Sequence, residues 1–272
     1  MADYSKELEI AKEAAREASK IINGFRESHD FKINFKGKND LVTDADLASE
    51  KKILSIIREA FPQDQILAEE SSNQQVLPEK RTWLVDPIDG TTNFAHGFPV
   101  FCVSIALWEK QEARMGLVLE VNKEECFYAV KGEGAFLNGD PIRVSSIDQP
   151  EYSMIGTGFP YNDLSLLRNY LRLFEWLLHR TQGVRRPGAA SYDLCCVAAG
   201  RFDGFYEYSL NPWDVGAASL IVQEAGGTVT DWEGGSNWLF GERIVAGNNP
   251  IHKFLMKAIE EHFSESEIKR ET

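Results

Sequence analysis

The chain has 272 residues, of which 43% are hydrophobic and 26% are charged. This composition is typical of a globular protein that can bury a substantial core, in one large domain or in two of ordinary size. The 29 basic and 42 acidic residues give a formal charge of −13, and no long basic cluster offsets it. Because nucleic-acid binding depends on clustered Lys and Arg, nucleic acid is not expected as a partner.

The first part of the chain predicts two amphipathic helices. Over residues 4–26, apolar residues recur at spacings of three and four, which indicates one buried stripe on a long helix. A second helix is predicted to begin after Thr43 and to end before Pro62. Thr43 and Asp46 have the spacing of a capping box, so helix capping alone would account for both residues.

Cysteines, histidines and hydropathy narrow the class of protein further. The four cysteines show no Cys-x-x-Cys spacing and are predicted to be reduced core residues. The five histidines are scattered, so a zinc site is not expected. The N-terminal segment contains no apolar signal core, and no run of about 18 apolar residues occurs, so we expect a cytoplasmic protein that does not enter a membrane.

The most informative segment is residues 83–94, which have the sequence WLVDPIDGTTNF. Its apolar beginning predicts a short buried strand, which delivers Asp86 and Asp89 into a turn shaped by Pro87. Paired carboxylates of this kind attract hard divalent cations. The alternative is an Asp-Pro turn followed by a helix cap, with no ligand bound there.

The Gly-Thr-Thr step that follows the aspartates predicts an anion site. Gly90 allows the backbone to approach a ligand closely, and Thr91 or Thr92 can cap a helix that starts there. Backbone N–H groups at a helix start attract an anion. Together with the neighbouring aspartates, the segment is therefore suited to holding metal ions against a phosphate.

A second pair of carboxylates lies upstream, where a short apolar run ends in Glu69 and Glu70. Adjacent side chains of an extended segment point to opposite faces, so only one of the two can readily join Asp86 and Asp89. The alternative is that both glutamates belong to an acidic surface loop.

Three predicted strands with tight turns follow, over residues 100–107, 114–121 and 126–130, and they indicate an antiparallel sheet covered by the first two helices. The Gly132-x-Gly134 step does not open a helix within a βαβ unit, so dinucleotide binding is not expected. Clustered Ser, Asp, Gln and Pro near residue 147 predict a boundary between two subdomains, residues 1–147 and residues 148–272.

Beyond this boundary, residues 164–179 predict a helix whose apolar side chains belong to the core. Those side chains are Leu167, Leu171, Phe174, Leu177 and Leu178.

Several polar residues of the second half are candidates for binding. Gly188 precedes another predicted helix, where N–H groups allow a polar ligand to approach. Arg185 and Arg186 either attract an anionic substrate or offset nearby acidic residues. Glu207 lies on a strand-like segment, and Asp214 stands at the start of a helix that it could cap.

Three blocks of sequence, taken together, resemble a known family. They are residues 69–71 (EES), residues 86–94 (DPIDGTTNF) and residues 212–218 (PWDVGAA). In this order they resemble the inositol monophosphatase family of Mg²⁺-dependent, lithium-sensitive sugar phosphatases, and the similarity runs from Asp40 to Asn248. The resemblance implies a layered α-β-α-β-α sandwich, of α+β or α/β class, as in inositol monophosphatase and fructose-1,6-bisphosphatase. It also implies a homodimer.

The resemblance further implies a set of metal ligands. One ion would be bound by Glu69, Asp86 and the carbonyl of Ile88, and another by Asp86, Asp89 and Asp214. All-oxygen ligands suit Mg²⁺, and a bridging aspartate can hold two ions roughly 4 Å apart. Two or three Mg²⁺ ions are implied, with Mn²⁺ able to substitute and Li⁺ as an inhibitor.

Catalytic and substrate-binding roles follow from the same match. The counterparts of Asp46 and Thr91 orient the attacking water in the family, so that Asp46, Thr91 and the metal ligand Glu69 are the candidate catalytic residues. Backbone groups of Gly90 and Thr91 would hold the phosphate. The other candidate substrate-binding residues are Asp89, Gly188, Ala189, Ala190 and Glu207, together with Arg185 for its charge.

The leading hypothesis is hydrolysis of myo-inositol monophosphate, or of a related sugar or polyol phosphate, by in-line attack of a metal-activated water. Alternatives within the superfamily are a fructose-1,6-bisphosphatase, a histidinol-phosphatase, or an NADP or nucleotide phosphatase. A hypothesis of another class is a non-catalytic protein that binds divalent ions or phosphosugars. On the leading hypothesis, residues 1–147 carry the main metal-binding motifs, whereas residues 148–272 carry substrate-binding residues and the last metal ligand.

Overall fold

The computed structural model describes residues 3–37, 40–71, 77, 80–161 and 163–269. The helices found there are α1 (Ser5–Ser28), α2 (Asp44–Ala60), α3 (Thr91–Ala95), α4 (Leu167–Leu178), α5 (Ala190–Ala198), α6 (Pro212–Val215), α7 (Ala218–Glu224), α8 (Asn249–His262) and α9 (Glu265–Ile268). The strands are β1 (Ile33–Gly37), β2 (Asp40–Thr43), β3 (Gln65–Ala68), β4 (Thr82–Asp89), β5 (Cys102–Glu109), β6 (Glu112–Glu120), β7 (Glu125–Val130), β8 (Ala135–Leu137), β9 (Asp140–Ile142), β10 (Met154–Thr157), β11 (Gly183–Arg185), β12 (Gly204–Tyr208), β13 (Thr228–Thr230) and β14 (Arg243–Gly247).

The larger sheet has seven strands in the order β3-β4-β5-β6-β7-β8-β9. β3 and β4 run parallel, and the other neighbouring strands run antiparallel. α1 and α2 cover one face through an apolar core that includes Ala14, Ile22 and Ile53. The predicted antiparallel sheet under two helices is therefore confirmed, with the parallel strand β3 added at its edge.

The pairing of β4 with β5 becomes irregular between Asp86 and Asp89. Pro87 has no N–H group and cannot continue the ladder of hydrogen bonds. The strand is therefore displaced at the point where it delivers its two carboxylates, as at a β-bulge beside a functional site.

The smaller main sheet has five strands in the order β11-β10-β12-β14-β13. β10 lies parallel to β11 and to β12, whereas β14 lies antiparallel to β12 and to β13. α5 and α7 share one apolar core with both main sheets, and α4 and α8 share another with the outer face of the smaller sheet. The layers are thus helix, sheet, helix, sheet and helix, which confirms the predicted sandwich.

The buried face of α4 differs from the predicted one. The helix buries Tyr170, Leu173 and Leu177, whereas Leu171 and Leu178 are 47% and 51% exposed. α4 carries two apolar stripes at helical spacing, so periodicity alone did not distinguish them. The stripe with Tyr170 is buried because its hydroxyl lies 2.6 Å from the Thr157 hydroxyl and its ring contacts Tyr206 and Tyr208.

Three further predictions can be compared with the structure. All four cysteines are free, and all but the half-buried Cys126 are buried, as predicted. No helix in the described part of the chain is long and apolar enough to cross a membrane. The boundary between residues 147 and 148 stays a prediction, because the two main sheets lie on either side of it but share the core around α5 and α7.

Candidate functional site

A pocket of about 410 Å³ opens where β4 ends and is lined from both main sheets. Every predicted site residue lines it except Asp46 and Arg185. We call it the acidic pocket, because its lining includes six carboxylates and one cation, Arg186. The carboxylates belong to Glu69, Asp86, Asp89, Asp193, Glu207 and Asp214.

Four of these carboxylates come from three separate parts of the fold and interact electrostatically. Asp86 and Asp89 end β4, Glu69 follows β3, and Asp214 lies in α6. Burial raises the pKa of Asp86 well above its ordinary value, and the charges of the other three carboxylates raise it further. Burial and the charges of Asp89 and Glu69 likewise raise the pKa of Asp214. Such mutual repulsion is relieved by bound cations.

Backbone groups hold the two aspartates of β4 in place. The N–H of Ile88 donates to Asp86 Oδ1 at 2.9 Å, and the N–H of Ser191 donates to Asp89 Oδ2 at 2.6 Å. Burial raises the pKa of Asp89 to about 6, although the Ser191 hydrogen bond opposes this rise. The two carboxylates are therefore positioned by backbone groups of β4 and α5.

Asp214 was expected to cap its helix, and the structure corrects this detail. Asn211 is the N-cap of α6, and Asp214 is the third helical residue of the capping box, where its Oδ2 accepts from Asn211 N at 2.7 Å. In α3, likewise, the N-cap is Gly90 with a left-handed φ of 95°, rather than a threonine. A Cβ at Gly90 would lie 3.0 Å from the carbonyl oxygen of Val100, so glycine suits both the turn and the tight space.

The carboxylates are not arranged as a complete coordination shell for a metal ion. No three His, Cys, Asp or Glu side chains in the described part of the chain are arranged around one point, and Glu69 hydrogen bonds with Asp86. The chemistry of the donors nevertheless fits a hard divalent cation, because the ligands are oxygens and one arginine faces six acids. All four candidate ligands line the same pocket.

Asp46 lies behind the pocket and contacts it through Thr91. The Thr91 hydroxyl lies 3.0 Å from Asp46 Oδ1 and 2.9 Å from the carbonyl oxygen of Ile88. The predicted capping box is also present, because Asp46 Oδ2 accepts from Thr43 N at 2.8 Å. Asp46 therefore both caps α2 and contacts Thr91, so capping is not its only interaction. Burial raises the pKa of Asp46, and these hydrogen bonds oppose the rise.

Glu207 and the start of α5 line the acidic pocket together with the β4 aspartates. Glu207 is buried on β12, and burial raises its pKa to about 8, against the opposing charge of Arg186. Gly158 makes room for it, because a Cβ there would lie 1.8 Å from Glu207 Oε1. Gly188, with a φ of 96°, leads into α5.

The structure brings Arg186 to the pocket and leaves Arg185 outside it. Arg185 is exposed, and its Nη1 donates to the carbonyl of Val184 at 3.0 Å. Arg186 lines the pocket, and its guanidinium carbon lies 5.0 Å from the centre of the Tyr161 ring. Successive side chains on an extended segment alternate in direction, so only one of two adjacent arginines can face the pocket.

Asp193 is a lining residue that the sequence reasoning missed. It is 1% exposed, and its Oδ1 has no hydrogen-bond partner in the described part of the chain. Burial raises its pKa well above the ordinary value, and the charges of Glu207 and Asp89 add to this. The one feature of the sequence that indicated a place for Asp193 in the pocket was its position three residues after Ala190, on the same face of α5.

The layered sandwich is shared with solved inositol monophosphatases and their relatives. A crystal structure of the extragenic suppressor protein suhB from Bartonella henselae superposes with a TM-score of 0.90 at 37% identity, covering 95% of this chain and 100% of that one. The inositol monophosphatase from Anabaena superposes with a TM-score of 0.82, also at 37% identity, covering 97% and 99%.

Sequence comparison agrees with the structural likeness. The Nus factor SuhB of Pseudomonas aeruginosa is 43% identical over 264 residues, covering 95% of this chain and 97% of the relative. The Nus factor SuhB of Escherichia coli K12 is 38% identical over 260 residues, with the same coverage. The profile of the inositol monophosphatase family matches residues 3–266. The chain therefore belongs to the inositol monophosphatase family, which consists of phosphatases that are generally Mg²⁺-dependent.

Proposed function

We propose that this protein is a Mg²⁺-dependent phosphomonoesterase that hydrolyses myo-inositol monophosphate or a related sugar or polyol phosphate. The observation that supports this most directly is the gathering of four interacting carboxylates beside the Thr91–Asp46 hydrogen bond. Hydrolysis of a phosphate monoester is among the slowest uncatalysed reactions, so a catalyst must concentrate positive charge and position a water. The carboxylates serve the first need by binding cations, and Thr91 serves the second.

The residues that would hold the metal ions are Glu69, Asp86, Asp89, Asp214 and the carbonyl of Ile88. Bound Mg²⁺ would supply Lewis-acid chemistry, which stabilises negative charge on the phosphate and the leaving oxygen and lowers the pKa of a water. Two or three ions, replacement by Mn²⁺ and inhibition by Li⁺ belong to the same proposal.

Thr91 and Asp46 would orient the attacking water. When the Thr91 hydroxyl donates to Asp46 Oδ1, the lone pairs of its oxygen remain available to accept a hydrogen bond from a water in the pocket. Asp46 is itself held by Thr43, so the hydroxyl keeps a fixed direction. The chain thereby restricts the water to one line of approach, which is the main benefit of positioning.

The substrate would lie between β4 and α5. Backbone N–H groups at Gly90 and Thr91 would hold the phosphate, while the backbone at Gly188, Ala189 and Ala190 would border the sugar. A volume of about 410 Å³ falls in the range of small-molecule sites. Three polar side chains, those of Arg186, Asp193 and Glu207, line the same space and would hydrogen bond to ring hydroxyls.

The test is phosphate release from a panel of phosphate esters. The panel contains myo-inositol-1-phosphate, fructose-1,6-bisphosphate, histidinol phosphate, NADP and adenosine 3′,5′-bisphosphate, each with Mg²⁺, with EDTA and with added Li⁺. We expect release that requires Mg²⁺, falls with Li⁺ and is fastest with the inositol ester. A different best substrate would assign the protein to another branch of the superfamily.

Asp89→Asn separates the catalytic proposal from the non-catalytic alternative. We expect phosphate release to be lost in a folded Asp89→Asn protein, because a metal ligand is neutralised. Unchanged release would reject the proposed site. If the wild-type protein releases no phosphate from any ester of the panel but still binds Mg²⁺ in calorimetry, the non-catalytic ion-binding or phosphosugar-binding alternative is favoured instead.

We also propose that the protein is a cytoplasmic homodimer. Besides the family resemblance, the exposed stripe of α4 supports dimer formation, since Leu171 and Leu178 are 47% and 51% exposed. Light scattering would detect twice the chain mass of 30.7 kDa. A monomeric mass at micromolar concentration would reject the dimer.

A further inference from the structure

A second pocket, of about 550 Å³, lies between α1 and the strands β6 and β7. It shares no lining residue with the acidic pocket, and its charge is opposite, because three basic residues and one acidic residue line it. We call it the α1 pocket. The lining residues that matter below are Lys12, Arg16, Lys20, Asn23, Cys126 and Tyr128.

The basic residues of the α1 pocket form a row along one face of α1. Lys12, Arg16 and Lys20 are four residues apart, so their side chains lie on the same side of the helix. Lys12 and Lys20 form ion pairs with Glu9 and Glu17 at 2.9 and 2.5 Å. Arg16 uses its Nε to donate to the carbonyl of Lys12 at 3.1 Å, and no carboxylate of the described residues pairs with it. The outer donors of Arg16 can therefore serve an anion.

The rest of the lining suits the organic part of a ligand. The Lys12 Nζ lies over the Tyr128 ring, 4.3 Å from its centre, and the same ring stacks on Phe136 with centroids 5.3 Å apart, so the edge of the ring is left to contact a ligand. Ala15 and Leu119 add apolar surface. Asn23 Oδ1 is buried and has no hydrogen-bond partner in the described part of the chain. A buried acceptor without a partner is costly, and a donor group on a ligand would satisfy it.

We propose that the α1 pocket binds a small organic anion, which carries a carboxylate, phosphate or sulfonate next to an aromatic or apolar ring. Arg16 binds the charged group, the edge of the Tyr128 ring contacts the apolar part, and Asn23 accepts a hydrogen bond from the ligand. This site needs no metal ion to attract an anion, which distinguishes it from the acidic pocket. The proposal is therefore independent of the phosphatase reaction.

Cys126 provides a reporter inside the α1 pocket. It is half-buried, whereas the other three cysteines are buried. Burial raises the pKa of its thiol, and the positive charges of Lys12 and Arg16, which line the same pocket, oppose this rise. Its alkylation rate, measured on the corresponding tryptic peptide by mass spectrometry, should therefore report whether the pocket is filled.

The experiment uses 8-anilinonaphthalene-1-sulfonate, an aromatic sulfonate, as the probe. Binding is measured by fluorescence in EDTA, so that no metal ion recruits the probe to the acidic pocket. The proteins are wild type, Arg16→Ala and the matched control Arg58→Ala, which removes an exposed arginine of α2 outside the pocket. We expect Kd to rise about tenfold or more in Arg16→Ala, as for loss of one charge-assisted hydrogen bond, and to stay unchanged in Arg58→Ala.

The same probe should slow alkylation of Cys126 by N-ethylmaleimide in wild type, and it should do so less in Arg16→Ala at equal concentration. Circular dichroism verifies that both variants fold, as expected for exposed side chains. Equal Kd values in all three proteins would overturn the proposal. So would an alkylation rate of Cys126 that saturating probe leaves unchanged.

Discussion

Asp46 is a carboxylate whose two oxygens serve two different groups. Oδ2 accepts from the N–H of Thr43 at 2.8 Å and from its hydroxyl at 2.5 Å, whereas Oδ1 accepts from the Thr91 hydroxyl at 3.0 Å. The first pair of hydrogen bonds caps α2, and the other connects α2 to the acidic pocket. Because the two functions use different atoms, substitutions can separate stability from catalysis.

We expect Asp46→Asn to lower both stability and activity. An amide presents a donor at one of its two ends, so either Thr43 or Thr91 loses its acceptor. Loss of a capping group costs roughly 0.5–2 kcal/mol. Each 1 kcal/mol lowers Tm by about 2–4 °C in a chain of this size class. Loss of a positioned proton acceptor slows a reaction about 10²–10⁴-fold.

Two matched variants separate the effect on stability from the effect on activity. Thr43→Val removes the hydroxyl of the cap and should lower Tm while leaving kcat within about threefold, far less than a lost proton acceptor. Thr91→Val removes the link to the pocket and should lower kcat with little change in Tm. The assays are thermal unfolding by circular dichroism and phosphate release at saturating Mg²⁺. A wild-type kcat in Thr91→Val would refute the reasoning, as would a loss of activity in Thr43→Val as large as in Asp46→Asn.

Three further predictions concern the acidic pocket. Gly158→Ala should raise KM for the sugar phosphate, because the new Cβ would lie 1.8 Å from Glu207 Oε1 and must displace that side chain. The control is Gly24→Ala, whose new Cβ meets nothing within 4 Å. Equal KM values in the two variants would contradict the prediction. Burial raises the pKa of Glu207 from 4.5 to about 8, so in EDTA the folded chain keeps a proton that the unfolded chain releases. The free energy of unfolding should therefore fall as pH rises from 4.5 through 8. Thermal unfolding over this pH range tests the prediction. The stability of the Glu207→Gln variant should fall less steeply with pH than that of the wild type. Mg²⁺ at a hundred times its Kd should stabilise the protein by about 2.7 kcal/mol, and a Tm shift of the same size in Asp214→Asn would contradict the proposed ligand set.

The sequence determined the features that depend on near neighbours. The strand, turn and helix of residues 83–94 follow from an apolar run, Pro87 and Gly90, all of which act within a few residues. The capping box of Thr43 and Asp46 is likewise local, and the structure confirms it. The order of these blocks also identified the family, because the same local segments recur in its members.

The tertiary structure determined which of several similar local patterns is buried and which is exposed. α4 carries two apolar stripes, and packing against the smaller main sheet and α8 buries the one that carries Tyr170. Arg185 and Arg186 are chemically identical, yet only the second enters the pocket. The α1 pocket likewise depends on where α1 crosses β7. The physical reason is that burial and charge pairing are set by surfaces brought together from distant parts of the chain, which local periodicity does not encode.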